Sequence, residues 1–118
     1  MPAFGATIDA SGISNLTHYV AGLSGEPRDA LKAALGKPLF QACAACHGAT
    51  GKGNPALGAP DLTDHIWLYG GSLAEIEQTI REGRNGVMPA WRDRLGEDGA
   101  RLVAAWIYGN ANAIRPSQ

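Results

Sequence analysis

Cys43-Ala44-Ala45-Cys46-His47 constrains this chain more than any other stretch. Its reactive groups stand at i, i+3 and i+4, so a helix projects them from one face. One helical turn then offers two sulfurs and an imidazole to the edge and face of a flat ligand. Gly48 follows directly and suits a helix stop. Cys-x-x-Cys-His is the attachment signature of a c-type haem, whose vinyl groups take up the two thiols while the histidine ligates the iron. Further on, Met88 precedes Pro89 in a Gly-rich loop and can supply the opposite axial ligand. A His/Met pair leaves a saturated, low-spin iron with a raised reduction potential.

Other chemistries fit less well. A structural zinc site needs four ligands, usually two such pairs. The chain has two cysteines, and His18 and His65 lack paired spacing. A thioredoxin-like redox pair expects a βαβ setting, and no strand-like alternation lies nearby. A disulfide between residues three apart closes too short a loop to stabilise much.

With 118 residues the chain is expected to form one small domain. Such a domain is marginal on its own apolar burial, and a covalent haem would fill much of its core. Sixteen glycines and seven prolines predict long irregular segments, as in a cofactor wrapped by loops. A net charge of −1 with interspersed signs gives no sign of a nucleic-acid partner. No stretch approaches the roughly 18 apolar residues that span a bilayer. No signal peptide is visible. Thioether attachment normally takes place outside the cytoplasmic membrane, so a periplasmic location and an upstream segment are expected.

The opening residues repeat a later segment. Met1-Pro2-Ala3-Phe4 matches Met88-Pro89-Ala90-Trp91, an offset of 88 − 1 = 87. At the same offset Ile8 meets Leu95, Gly12 meets Gly99, Leu16 meets Val103, Tyr19 meets Trp106, Val20 meets Ile107 and Gly22 meets Gly109. Apolar, aromatic and glycine positions keep register without a gap, the sign of an internal repeat. Residues 1–25 read as the tail and linker of a preceding cytochrome c-like domain, and residues 26–118 as the cytochrome c domain; the alternative is a start residue followed by a chance Pro-Ala and a generic amphipathic helix.

Local signals predict helices. Ser11 caps a helix over 11–22, with Ile13, Leu16, Tyr19, Val20 and Leu23 as its apolar stripe. Pro27 opens a second helix to about Leu35. Pro38 requires a new start near 37 or a kink, after which the Cys-x-x-Cys-His helix runs to His47. Residues 48–60 form an irregular loop. A short helix over Asp61–Tyr69 is expected. Ser72-Leu73-Ala74-Glu75 is a capping box for a helix through about Glu82. Gly83 to Trp91 is the methionine loop, with Met88 on extended backbone because proline follows it. The last helix spans about 97–109 and buries Leu102, Val103 and Trp106.

Together these residues resemble class I cytochromes c, which implies an all-α fold of four or five short helices around a covalent haem c. The resemblance implies that Gly36 and Phe40 cross Trp106 of the last helix, the glycine allowing close approach. Gly58-Ala59-Pro60-Asp61-Leu62 resembles the segment whose proline carbonyl accepts a hydrogen bond from the ligating histidine, a role that falls on Pro60. Gly51-Lys52-Gly53-Asn54, Ile66-Trp67-Leu68-Tyr69-Gly70-Gly71-Ser72 and Gly86-Val87-Met88-Pro89-Ala90 are similar to subunit III, the dihaem subunit, of cbb3-type cytochrome c oxidases. That likeness implies the second of two tandem haem domains, with the membrane anchor and first haem motif upstream.

The expected site is Cys43, Cys46, His47 and Met88, with His47 and Met88 on the metal. Trp67 and Arg84 could donate hydrogen bonds to haem propionates. Packing stands equally for Trp67, and a solvated loop charge equally for Arg84. His18 and His65 read as surface residues. The expected function is one-electron transfer without catalysis. The expected partners are another cytochrome c and an oxidase catalytic subunit. A stand-alone periplasmic carrier, a peroxidase-like protein and a haem sensor with a displaceable methionine are the alternatives. Weak self-association is expected where a missing N-terminal half would leave apolar surface uncovered.

Overall fold

The computed structural model of the chain describes residues 1–25 and 29–113. They divide into two compact units, Met1–Asn85 and a second unit from Gly86 onward. Among the described residues there are helices and turns but no strand, and one isolated bridge pairs Asn54 with Ala59.

In the first unit, α1 spans Ala10–Leu23. Its cap is Asp9 and not the expected Ser11. Asp9 sits in extended backbone, and its carboxylate accepts from the Gly12 amide at 2.7 Å. A side-chain acceptor at that position satisfies an otherwise orphaned amide. Ile13, Leu16 and Val20 form the buried stripe as expected. Thr17 joins them, its hydroxyl donating to the Ile13 carbonyl at 2.8 Å.

The next helix, α2, spans Ala30–Gly36 and is capped by Asp29, which accepts from the Lys32 amide at 2.9 Å. The expected start at Pro27 lies outside the described residues. Pro38 falls in the first turn of a 3-10 segment, Lys37–Phe40, where its missing N–H costs nothing. From there α3 runs over Gln41–His47.

The α1–α2 crossing turns on Gly36. A Cβ there would lie 2.1 Å from the Asn15 carbonyl oxygen, inside the backbone of α1. Beside the crossing, the Tyr19 and Phe40 rings pack at 5.2 Å with a tilt of 58°. That geometry is favourable for aromatic pairs. Thus α1 fills the crossing that the cytochrome resemblance assigned to Trp106 of the last helix.

The core consists of Ile13, Leu16, Val20, Phe40, Ile76 and Ile80. The last two belong to α4, Leu73–Glu82, which carries the expected capping box between Ser72 and Glu75. The segment before α1 pairs with the end of α4. The Phe4 and Gly5 amides donate to the carbonyls of Ile80 and Arg81, each at 3.0 Å.

The expected helix over 61–69 does not form. The Asp61 carboxylate accepts from the Thr63 amide at 2.7 Å, and Asp64 accepts from the Ile66 amide at 2.9 Å. These side-chain turns give the backbone amides local partners and displace the helical ladder.

In the second unit, α5 spans Arg92–Ala113 and is interrupted at Gly96, whose φ of 68° and ψ of 175° are non-helical. The regular part therefore begins after 96, where the sequence placed the last helix, but Leu102, Val103 and Trp106, expected to be buried, are exposed.

Candidate functional site

The Cys-x-x-Cys-His helix is short and firmly stopped. The Gly48 amide closes on the Ala44 carbonyl at 2.9 Å, and Gly48 itself has a φ of 76°, a left-handed value that favours glycine. The loop then folds back under His47. The Gly53 amide donates to the His47 carbonyl at 2.8 Å, Leu62 to Gly51 at 2.7 Å, and Asn54 to Ala59 at 2.9 Å. Gly53 is needed for this return. With φ at 76°, a Cβ there would stand 2.5 Å from the Ala59 carbonyl oxygen.

The result brings the Pro60 carbonyl to 3.0 Å from His47 Nδ1. A carbonyl only accepts, so Nδ1 carries the proton and Nε2 keeps its lone pair. The imidazole is thereby fixed in the tautomer that ligates a metal through Nε2. His47 is buried, and its ring is held from behind.

The two thiols differ. Cys43 is half-buried, whereas Cys46 is exposed. Burial pushes the Cys43 thiol up, and the neighbouring Cys46 charge adds to this. Asp61, next to Pro60, is held below the usual carboxylate range chiefly by the Thr63 hydroxyl and then by the Thr63 amide.

Trp67 is half-buried against the core. A Cβ on Gly71 would lie 2.7 Å from its Cδ1, so indole and backbone are in tight contact. Arg84 is more restrained than a solvated loop charge. Its Nε donates to the Thr79 hydroxyl at 3.0 Å, and its guanidinium sits 4.7 Å from the Tyr69 ring centre. Sequence reading did not single out Thr79 or Tyr69, since neither stands at a spacing that advertises the contact.

The first unit thus contains Cys43, Cys46, His47, Pro60, Trp67 and Arg84. Met88 belongs to the second unit, on the irregular stretch before α5, with its side chain exposed. Trp91 is exposed there too, with the Arg94 guanidinium 5.3 Å from its ring centre. His65 is exposed. His18 is not the plain surface residue expected. It is half-buried, and its Nδ1 is enclosed without a hydrogen-bond partner.

These donors suit a covalent haem. They are two thiols and one imidazole with a free Nε2, on a single helix turn. In the loops of the same unit Leu57, Ile66 and Leu68 leave apolar side chains exposed, the kind of surface a macrocycle covers. Among the described residues no cluster of three or more His, Cys, Asp or Glu side chains is placed to hold a metal ion. A tetrahedral zinc site therefore lacks its ligand set there.

Residues 32–107 match the family described as cytochrome c oxidase, cbb3-type, subunit III. The chain is similar to the cbb3-type cytochrome c oxidase subunit CcoP of Cereibacter sphaeroides, 46% identical over 112 residues that cover 92% of this chain and 39% of that protein. It is also similar to the subunit FixP of Azorhizobium caulinodans, 48% identical over 110 residues, 92% of this chain and 38% of that protein. To CcoP of Rhodobacter capsulatus it is 42% identical over 109 residues, covering 86% and 37%. The chain spans about two-fifths of the length of these relatives.

Proposed function

Because the chain belongs to the subunit III family of cbb3-type cytochrome c oxidases, we propose that it is a one-electron relay domain carrying one covalent haem c. When bound, the haem supplies a ferric/ferrous couple and nothing that requires an open metal position. Cys43 and Cys46 hold it as thioethers. His47 ligates through Nε2, and the Pro60 carbonyl keeps that ring in the ligating tautomer. Met88 would supply a second, sulfur ligand to the iron. Arg84, braced by Thr79 and Tyr69, and the Trp67 indole are the propionate donors.

The observation that carries this reading is the 3.0 Å contact between His47 Nδ1 and the Pro60 carbonyl. It orients a histidine that already follows two cysteines on one helix face. The electron donor on this reading is another cytochrome c, and the acceptor is the catalytic subunit of the oxidase. The domain works in the periplasm, tethered through an anchor elsewhere in the longer protein. Residues 1–25 derive from the tail of a preceding cytochrome c-like domain, and residues 26–118 are the cytochrome c domain. The uncovered apolar surface gives weak self-association at millimolar protein, which light scattering tests.

Carbon monoxide tests the relay directly. A domain with both axial positions filled leaves the ferrous spectrum unchanged under carbon monoxide at neutral pH. Ready binding would instead favour a peroxidase-like protein or a sensor.

A further inference from the structure

Arg84 is held from several sides within the first unit. Helix α4 ends at Glu82, and the Gly83 amide closes on the Thr79 carbonyl at 3.0 Å. Gly83 has a φ of 72°, a left-handed value that turns the chain back over the helix end. Arg84 comes next and returns to the same turn. Its Nε donates to the Thr79 hydroxyl at 3.0 Å, and its guanidinium carbon lies 4.7 Å from the Tyr69 ring centre. Its amide donates to the Met1 carbonyl at 3.0 Å. Thr79 thus closes α4 with its carbonyl and holds Arg84 with its hydroxyl.

This brace differs from the setting of the other arginines. Arg81 pairs with Glu77, while Arg92 and Arg101 meet Glu97. Surface pairs of that kind contribute little and are screened by salt. Among the described residues no carboxylate forms an ion pair with Arg84. The carboxylate that feels its charge is Glu75, and that group is already engaged. It accepts from the Ser72 amide at 2.9 Å and from the Ser72 hydroxyl at 2.7 Å. A guanidinium carries five N–H donors in a rigid planar fork. Thr79 takes the Nε donor and Tyr69 covers one face, so the four donors of the two terminal nitrogens are left for an anion. Ordering an arginine side chain costs about 2 kcal/mol of rotamer entropy. A charged hydrogen bond and a ring contact offset a cost of that size. The fork is therefore set before any anion arrives.

We propose that Thr79 and Tyr69 are positioning residues that set the reduction potential of the bound haem through Arg84. The proposal rests on the reading of Arg84 as a propionate donor given above. A cation fixed beside a propionate opposes the extra positive charge of ferric iron and favours the ferrous state. A cation that swings out into water is screened and loses that effect. The potential then depends on the brace as well as on the arginine.

Spectroelectrochemical titration of the haem-loaded chain tests this. Arg84→Gln shifts the ferric/ferrous equilibrium toward ferric by about threefold, which is about 28 mV at 59 mV per tenfold. Thr79→Val removes the hydroxyl with little change of shape and lowers the potential in the same direction. Thr79→Ser restores it. Tyr69→Leu lowers it as well, with α4 untouched, and Tyr69→Phe, which keeps the ring face, does not. The Tyr69 pair decides the outcome where circular dichroism shows that Thr79→Val has lost helicity. Thr79→Val/Arg84→Gln has the potential of Arg84→Gln alone, because the hydroxyl acts only through the guanidinium. A wild-type potential in a folded Thr79→Val or in Tyr69→Leu overturns the proposal, and so does an additive shift in the double variant. A pyridine haemochrome of each preparation separates the levels. A chain without attached haem overturns the haem reading and this proposal together. Attached haem with an unmoved potential in Arg84→Gln overturns the propionate role of Arg84. Attached haem with a lowered potential in Arg84→Gln and an unmoved one in Thr79→Val overturns the positioning role alone.

Discussion

Gly36→Ala is the perturbation whose cost the structure fixes best. The new methyl would stand 2.1 Å from the Asn15 carbonyl oxygen, 2.5 Å from its carbon and 2.8 Å from the Leu16 nitrogen. All three are backbone atoms of α1, so no side-chain rotation relieves the overlap. The helices must separate by about 1 Å or more, a shift that forfeits a quarter to a half of the attraction at each contact along the crossing. Overpacking of this kind typically costs 1–3 kcal/mol, and the backbone location puts this case near about 3. Gly36 lies in a helix and gives back at most about 1 kcal/mol in propensity when replaced by alanine. The net loss is about 2 kcal/mol, or roughly thirtyfold in the folding equilibrium. For a domain of this size, that lowers Tm by about 8–16 °C. Denaturant titration followed by circular dichroism measures the change. Gly25→Ala serves as the control, because nothing lies within 4 Å of its Cβ position. Equal midpoints for wild type and Gly36→Ala would refute the close crossing and with it the placement of α1.

Two further outcomes follow from local chemistry. The Ser72 hydroxyl, then the Ser72 amide, hold the Glu75 carboxyl below its ordinary value. A lowered folded-state value means that the stability is fully present above the unfolded-state pKa and is lost as pH falls through the folded one. Glu75→Gln therefore flattens this part of the acid limb of the stability curve, and Ser72→Ala removes about 1 kcal/mol at neutral pH. In the haem-free protein, iodoacetamide modifies Cys46 before Cys43 at pH 8, as peptide mass spectrometry over time shows. Exposure favours the first, while burial and a raised thiol pKa protect the second. Equal rates would contradict the half-buried placement of Cys43.

What could be read in the sequence was whatever depends on contacts within a few residues. The Ser72–Glu75 box and the stop at Gly48 are of that kind, and so is the restart at Pro38. The cap of α1 was misplaced because Ser11 and Asp9 are both good caps, and only the extended backbone at Asp9 decides between them. The helix expected over 61–69 failed because Asp61 and Asp64 each capture an amide two residues on. Pro60 was found through family likeness and not through spacing, since a thirteen-residue return has no local signature. The repeat was legible, but its consequence was not. Two segments share one apolar pattern, and only the structure places Leu16 of the first in the core and its Tyr19 against Phe40.

The central claim is a haem gripped between the His47 imidazole and a methionine sulfur. The visible and near-infrared spectrum of the ferric, haem-loaded chain tests it most directly. A low-spin spectrum with the weak red iron–thioether band is the result this account expects. A high-spin spectrum, or a colourless protein with both thiols free, would contradict it.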